Sequence, residues 1–177
     1  MLVTQYNHIV SLNEDVQTKW GQVENVYQRR LDLVPNLVNT VKAYAEHEKE
    51  LIQMLTDARA KAGGVLNLSA ESLDAQTLQQ FQAAQSELSS ALQRIMVLVE
   101  DNPSIKTDQN FLALQAQLEG SENRITVERK RFNEAVQTYN SYVKRFPQNI
   151  AAGVFGFDQK AYFQAEAGAE NAPNVTF

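Results

Sequence analysis

Cysteine is absent from the 177-residue sequence, which excludes a disulfide framework and any metal site built on thiolates. The absence leaves the compartment open, because a chain without cysteine suits either side of a membrane. The protein must therefore be stabilised by its hydrophobic core, and 44% hydrophobic residues supply enough apolar surface for one domain of this length.

An excess of basic residues is also missing. The chain has 16 Lys and Arg against 21 Asp and Glu, a formal net charge of −5. A nucleic-acid surface needs clustered Lys and Arg to neutralise phosphates, so we expect no nucleic-acid partner.

Long apolar runs are lacking. No stretch of the sequence approaches the roughly 18 to 20 apolar residues that cross a bilayer, and Met1-Leu2-Val3 is far too short for a signal peptide. We expect the chain as given to be soluble.

Catalytic motifs are absent too: there is no P-loop, no G-x-S-x-G and no dinucleotide fingerprint. Di-iron bundles use Glu-x-x-His pairs, whereas His8 follows Gln5 and His47 follows Tyr44 at that spacing. His47 is expected to be a surface or second-layer histidine. The sequence thus predicts a protein that is not an enzyme and that has no cofactor and no bound metal.

Glycine and proline are scarce, at 7 and 4 residues, and apolar residues recur at steps of three and four. This pattern predicts an all-α protein, an up-and-down antiparallel four-helix bundle over residues 1–147 with an irregular tail over 148–177. The predicted helices span about 4–33, 35–63, 70–101 and 107–146, the last capped by Thr107 or Asp108. The aromatic residues of the tail are expected to pack along the bundle.

The stretch from Arg29 to Asn36 is predicted to be the first turn, because Asp32 is a good N-cap and Pro35 fits the first turn of a new helix. Arg29, Arg30, Asp32 and Asn36 then have two interpretations. They cap and pair among themselves, or they form a patch for a protein partner beside the Asp101-Asn102-Pro103 turn. The capping interpretation is slightly favoured.

Charged residues interrupt the apolar stripes, with Glu48 between Ala45 and Ile52, and Glu122 and Arg129 on either side of Ile125. Counting back from the predicted turns places Glu48, Gln85 and Glu122 at similar depth and Arg129 about two turns along. One interpretation is a polar layer of paired groups that fixes helix register. The other is a metal or catalytic carboxylate site, which the missing ligand set makes much less favourable.

The chain resembles the LemA family over nearly its full length, and the motifs that carry the resemblance are highly specific together. They are Tyr6-Asn7, Trp20, Arg29-Arg30-x-Asp32-Leu33-x-Pro35-Asn36-Leu37, Tyr44, His47-Glu48, Ala58-Arg59, Asn110-Phe111, Leu118-Glu119-Gly120-x-Glu122-Asn123-Arg124, Arg131-Phe132-Asn133, Tyr139-Asn140, Arg145-Phe146-Pro147, Phe155-Gly156-Phe157 and Tyr162-Phe163.

The resemblance implies a four-helix bundle and a single transmembrane helix just before Tyr6-Asn7, in the bacterial cytoplasmic membrane. We expect the bundle to face the cytoplasm, although the sequence does not determine the side of the membrane. Residues 1–5 hold no such helix, so we interpret the chain as a soluble domain without its anchor, the alternative being a soluble variant. The family has no established enzymatic activity, so the resemblance supplies no catalytic residues.

Three crossings of the bundle return the end of the fourth helix to the anchor end, which predicts that Lys144, Arg145 and the tail aromatics lie near the membrane. The alternative is a tail that only covers the bundle. The leading hypothesis is a non-enzymatic, membrane-associated scaffold with an unidentified protein partner. The other hypotheses are a ligand-binding, metal-binding or hydrolase-like site on Glu48, Glu122 and Arg129, and a self-associating bundle.

Overall fold

The computed structural model describes residues 2–44, 48–69 and 73–164, and over these residues the protein is all-helical, as predicted. The helices are α1 (Leu2–Lys42), α2 (Lys49–Gly64), α3 (Ala75–Glu100), α4 (Pro103–Lys106), α5 (Gln109–Lys144) and α6 (Gln148–Phe155). Six helices in the described residues replace the four that the sequence predicted. His47 and Phe177 lie outside the described residues.

The predicted turn at Arg29–Asn36 is wrong, because α1 continues through Pro35 to Lys42. A proline inside a helix removes the bond to the carbonyl four residues earlier, which here is that of Leu31. Arg59 on α2 replaces that bond, since its Nε donates to the Leu31 oxygen at 3.1 Å. The helix predicted over 35–63 is therefore corrected to α2, and the first reversal of the chain lies between Lys42 and Lys49.

The long helices α1 and α5 pack antiparallel to each other along most of their length. At one end the Tyr44 hydroxyl donates to Asp108 Oδ2 at 2.7 Å, and at the other the rings of His8 and Tyr142 lie 4.5 Å apart. The shorter α2 packs against both α1 and α3. The core follows two series of buried α1 positions, each seven residues apart: Ile9, Val16, Val23, Arg30 and Leu37, and Trp20, Tyr27, Val34 and Val41.

Aspartates begin α3 and α5. The Asp74 side chain accepts from the backbone N–H of Thr77 at 2.7 Å, and Asp108 accepts from that of Phe111 at 2.9 Å. Each satisfies a backbone donor that the first turn of a helix leaves unpaired. Asp108 was one of the two caps that the sequence offered for this helix.

The predicted irregular tail begins with a helix instead. Gly156, at φ +73°, ends α6 in the left-handed region that favours glycine, and the Phe157 N–H returns to the Ala152 oxygen at 2.9 Å. Residues 157–164, which we name the strap, have no regular secondary structure and run back along α5.

Two asparagines of α5 hold the strap. Asn140 donates to the Lys160 carbonyl and accepts from its N–H, both at 2.9 Å, and Asn133 does the same for Phe163 at 3.1 and 2.9 Å. Phe163 is buried at 5% exposure, with its ring centroid 6.0 Å from that of Trp20 and 5.4 Å from that of Phe132. The strap is thereby held on the bundle by two pairs of hydrogen bonds from asparagine side chains to its backbone and by the buried Phe163 ring.

Candidate functional site

The most unusual residue of the interior is Arg30, which is only 2% exposed although arginine is almost never fully buried unless it is paired. It occupies one of the seven-residue series of α1, between Val23 and Leu37. Its guanidinium carbon also lies 5.2 Å from the centre of the Tyr27 ring, close enough for a cation–π contact.

Four hydrogen bonds connect Arg30 to neighbouring helices. Nη1 donates to Ser89 Oγ at 3.0 Å and to Glu122 Oε2 at 2.9 Å, and Nη2 donates to the backbone oxygen and to Oε1 of Gln85 at 3.2 and 2.8 Å. Gln85 Nε2 donates onward to the Ala62 carbonyl at 3.4 Å. Residues Arg30, Gln85, Ser89 and Glu122, which we name the Arg30 cluster, therefore link α1, α3 and α5, and through Ala62 also α2.

Burial differs across the charged pair of this cluster. The Glu122 side chain is 55% exposed while that of Arg30 is 2% exposed. Bulk solvent therefore reaches the anion, whereas the cation is shielded from it, and the bonds from the protein must compensate for most of the lost hydration of the guanidinium.

The space beside the cluster is small. A void of about 20 Å³ lies between the cluster, Tyr27 and Arg129, and Arg30 Nε has no protein partner. That volume fits about one water molecule, which would satisfy the remaining donor. The void is too small for a substrate.

A wider groove of about 520 Å³ lies on the other side of Glu122, between α3 and α5. Arg30, Ser89 and Glu122 of the cluster line this groove together with apolar side chains that include Leu92, Met96 and Leu118. Over the described parts of the chain, no three His, Cys, Asp or Glu residues are grouped so that they could hold a metal ion. The cluster and groove offer hydrogen bonding and apolar contact, without a nucleophile paired to a base.

Comparison with known proteins places the chain. The family model described as "LemA family" matches residues 19–177. The chain belongs to the LemA family. Magnetosome protein MamQ 2 of Paramagnetospirillum magneticum is 29% identical to it, across 99% of this chain and 70% of that protein. Magnetosome protein MamQ of Magnetospirillum gryphiswaldense is 28% identical, across the same shares of the two chains.

In this LemA-family chain, only part of the predicted polar layer comes together. Gln85 and Glu122 meet in the Arg30 cluster. Arg129 lines the same void, but its Nη2 donates to the Gln164 carbonyl at 2.9 Å and its guanidinium lies 5.0 Å from the centre of the Phe163 ring.

Glu48 does not belong to the site. It immediately precedes α2, beyond the end of α1 at Lys42, which is about 18 Å along the helix axis from Arg30. The site predicted from Glu48, Glu122 and Arg129 is therefore not assembled. Its depths were counted from a first turn that the structure places more than ten residues later in the chain.

Both interpretations of the predicted turn, capping or a partner-facing patch, place Arg30 at the surface, and the structure corrects this because Arg30 is buried. Arg29, Asp32 and Asn36 are exposed on the outer side of α1, well before its end, and Asp32 accepts from Gln28 Nε2 at 2.7 Å. The burial of Arg30 could have been found from its position, seven residues after Val23 and seven before Leu37. The predicted turn at Arg29–Asn36 divides this seven-residue series, so the spacing did not indicate burial of Arg30.

Proposed function

We propose that this LemA-family domain is a non-enzymatic helical scaffold of a bacterial membrane, in which α1, α2, α3 and α5 act as one up-and-down bundle. The proposal rests mainly on one observation. The conspicuous polar group of the interior, Arg30, donates four hydrogen bonds to the protein's own atoms, so both of its terminal nitrogens are occupied even though Arg30 also lines the groove of about 520 Å³.

A catalytic or ligand-binding site keeps polar groups ready for a substrate in a cavity that receives it. The Arg30 cluster instead connects helices, since each hydrogen bond that Arg30 donates crosses from α1 to α3 or α5, and the Gln85 bond to Ala62 crosses from α3 to α2. Such a cluster specifies helix register, a role for which buried polar groups are well suited. The cluster therefore has a structural role, in which hydrogen bonds hold neighbouring helices in one register.

The membrane association in the proposal comes from the family, whose resemblance implies a single transmembrane helix ahead of Tyr6-Asn7, and we propose that the domain faces the cytoplasm. The relatives named as magnetosome proteins support a role in a bacterial structure and indicate no reaction. None of the described helices has the length and apolar character needed to cross a bilayer.

The partner surface in the proposal is the outer side of α1 at Arg29, Asp32 and Asn36. These side chains are exposed and lie at steps of three and four, so they face the same way from the helix. Without Arg30, the patch first predicted as a turn becomes a row of one cation, one anion and one amide along α1.

The test is affinity capture from bacterial membranes with the Arg29→Ala/Asp32→Ala variant. The matched control is Lys130→Ala/Glu134→Ala on α5, which also removes one cation and one anion from exposed positions. A protein neighbour retained by the parent and the control but lost by the α1 variant supports the proposal. The same set of captured proteins from all three chains contradicts this partner surface.

A further inference from the structure

The end of the domain where α1 begins and α5 finishes has an exposed apolar surface. Phe146, Ile150 and Val154 are 80%, 53% and 73% exposed, at steps of four residues. The spacing of Ile150 and Val154 puts these two side chains on one side of α6, and Phe146 is exposed in the turn that leads into the helix. We name this set the α6 stripe.

The opposite side of α6 is fixed to the bundle. Ala151 and Ala152 are buried at 0% and 3% exposure, and the helix packs against both α1 and α5. The Phe155 ring contacts that of Tyr6 with centroids 4.8 Å apart. After Gly156 the strap holds the chain to α5, so α6 is attached at both ends. The α6 stripe therefore cannot rotate inward to bury itself.

The first turn of α1 extends this surface. Leu2 and Val3 are 57% and 72% exposed, one turn before the Tyr6 that contacts Phe155. Large apolar side chains from both ends of the described chain are thus collected at one end of the bundle. A group of this kind marks a contact surface more often than single exposed residues do.

Charge separates this end from the rest of the molecule. Residues 2–13 and 135–157 contain no Asp or Glu, although the whole chain carries 21 of them and a net charge of −5. The only Lys or Arg in these two ranges are Lys144 and Arg145, both exposed and directly before the α6 stripe. Asp74 and Asp158 lie beside Asn13 and Phe157, where this surface borders the start of α3 and of the strap. The two acid-free stretches themselves carry only positive charge, which is complementary to an anionic surface.

We propose that this end lies on a bilayer that contains anionic phospholipid, with the α6 stripe, Leu2 and Val3 among the acyl chains next to the headgroups. Lys144 and Arg145 bind the lipid phosphates. An apolar side flanked by basic residues is the arrangement of helices that lie in the plane of a membrane interface. This inference rests on the membrane association proposed above and adds the contact residues and the lipid class.

The experiment is vesicle flotation of the full chain with phosphatidylcholine vesicles that contain or lack phosphatidylglycerol. The Phe146→Ser/Ile150→Gln/Val154→Gln variant should bind the anionic vesicles about 100-fold more weakly, because three apolar side chains leave the interface. The Lys144→Gln/Arg145→Gln variant should lose about tenfold, and only with the anionic vesicles.

The matched control is Val97→Gln/Leu112→Gln/Val127→Gln, which replaces three apolar residues that are exposed on α3 and α5. It should float as the parent does, and circular dichroism melts verify that each variant is folded. Three outcomes overturn the inference: no binding of the parent to anionic vesicles, equal binding of parent and stripe variant, or a stripe-dependent dimer in ultracentrifugation without vesicle binding. The capture experiment uses different residues, so the two proposals fail separately.

Discussion

The Arg30 cluster and the α6 stripe reverse the usual placement of polar and apolar groups. Inside the bundle Arg30 is only 2% exposed, whereas Phe146, in the turn before α6, is 80% exposed. The buried charge has all its protein partners within the chain, whereas the exposed apolar side chains have a fixed helix behind them and nothing from the described chain covering them. The Arg30 cluster is therefore satisfied by contacts within the chain, whereas the α6 stripe is left for a contact with another surface, which we propose is the bilayer.

The largest expected effect comes from breaking the complete region. Arg30→Ala should lower the free energy of unfolding by about 4 kcal/mol. The substitution leaves Gln85 and Ser89 without the donor they share, and it opens a cavity where the arginine side chain was. Urea unfolding followed by circular dichroism measures this. The neighbouring Arg29→Ala, on the exposed side, should change it by less than about 0.5 kcal/mol. Equal effects of the two substitutions would contradict the structural role of the cluster.

The strap should be the next most sensitive element. Phe163→Ala should cost about 3 kcal/mol, because it empties a space between Trp20, Phe81 and Phe132. Trp20 is the single tryptophan, so its emission should shift to longer wavelength as water reaches it. Tyr162→Ala, one residue earlier and 42% exposed, is the control. An unchanged emission in Phe163→Ala would show that the strap does not close this part of the core.

A smaller effect is expected where Arg59 replaces the backbone hydrogen bond to the Leu31 carbonyl that Pro35 cannot make. Arg59→Ala should cost about 1 to 2 kcal/mol by leaving the Leu31 carbonyl unpaired. In a Pro35→Ala background the backbone N–H gained at that position can bond the Leu31 carbonyl, so the same Arg59→Ala substitution should cost less than about 0.5 kcal/mol. A double-mutant cycle by urea unfolding measures the coupling, and strict additivity would exclude this explanation.

The α6 stripe should contribute little to folding, in contrast to the Arg30 cluster. Each of Phe146→Ser, Ile150→Gln and Val154→Gln should change the free energy of unfolding by less than about 0.5 kcal/mol, because exposed side chains bury little on folding. Thermal melts of the single variants measure this. A large loss would mean that the stripe is part of the core and would remove the reason to assign it to lipid.

The smallest effect concerns the far end of α1. The hydrogen bond from the Tyr44 hydroxyl lowers the pKa of Asp108. A carboxyl with a lowered pKa in the folded state stabilises the protein above its unfolded pKa, and this is lost as the pH falls through the folded value. Tyr44→Phe should raise the pKa of Asp108 toward its unfolded value, so the stabilisation is smaller and its loss is complete at a higher pH.

Nuclear magnetic resonance titration of the Asp108 carboxyl group measures this change. Asp74, whose pKa is lowered by the Thr77 N–H, should titrate unchanged in the same variant. An unchanged Asp108 would show that the Tyr44 contact is absent in solution.

Periodicity was sufficient to predict the helical class and most of the core, because positions such as Val16, Trp20 and Phe132 record burial directly in residue type. It failed at Pro35 because local propensity says that a proline ends a helix, whereas the compensating donor, Arg59, lies 24 residues later. A long-range bond of this kind leaves no local pattern.

The candidate site was predicted in part for a related reason. Gln85 and Glu122 stand out as polar residues within apolar stripes, but Arg30 reads as part of a charged turn until α1 is known to be continuous. The α6 helix was not predicted, because its eight residues give too few turns for a periodic pattern of apolar residues. Its exposure depends on the strap, whose fixing bonds come from Asn133 and Asn140 on another element.

The length of α1 sets a distance. It has 41 residues and is therefore about 60 Å long, beginning beside the α6 stripe. With that end resting on lipid, Arg29 stands up to about 40 Å above the headgroups, 27 residues along the same unbroken rod. A partner that bound there would meet the domain at a height fixed by helix geometry, so the protein would act as a spacer between a membrane and whatever it recruits.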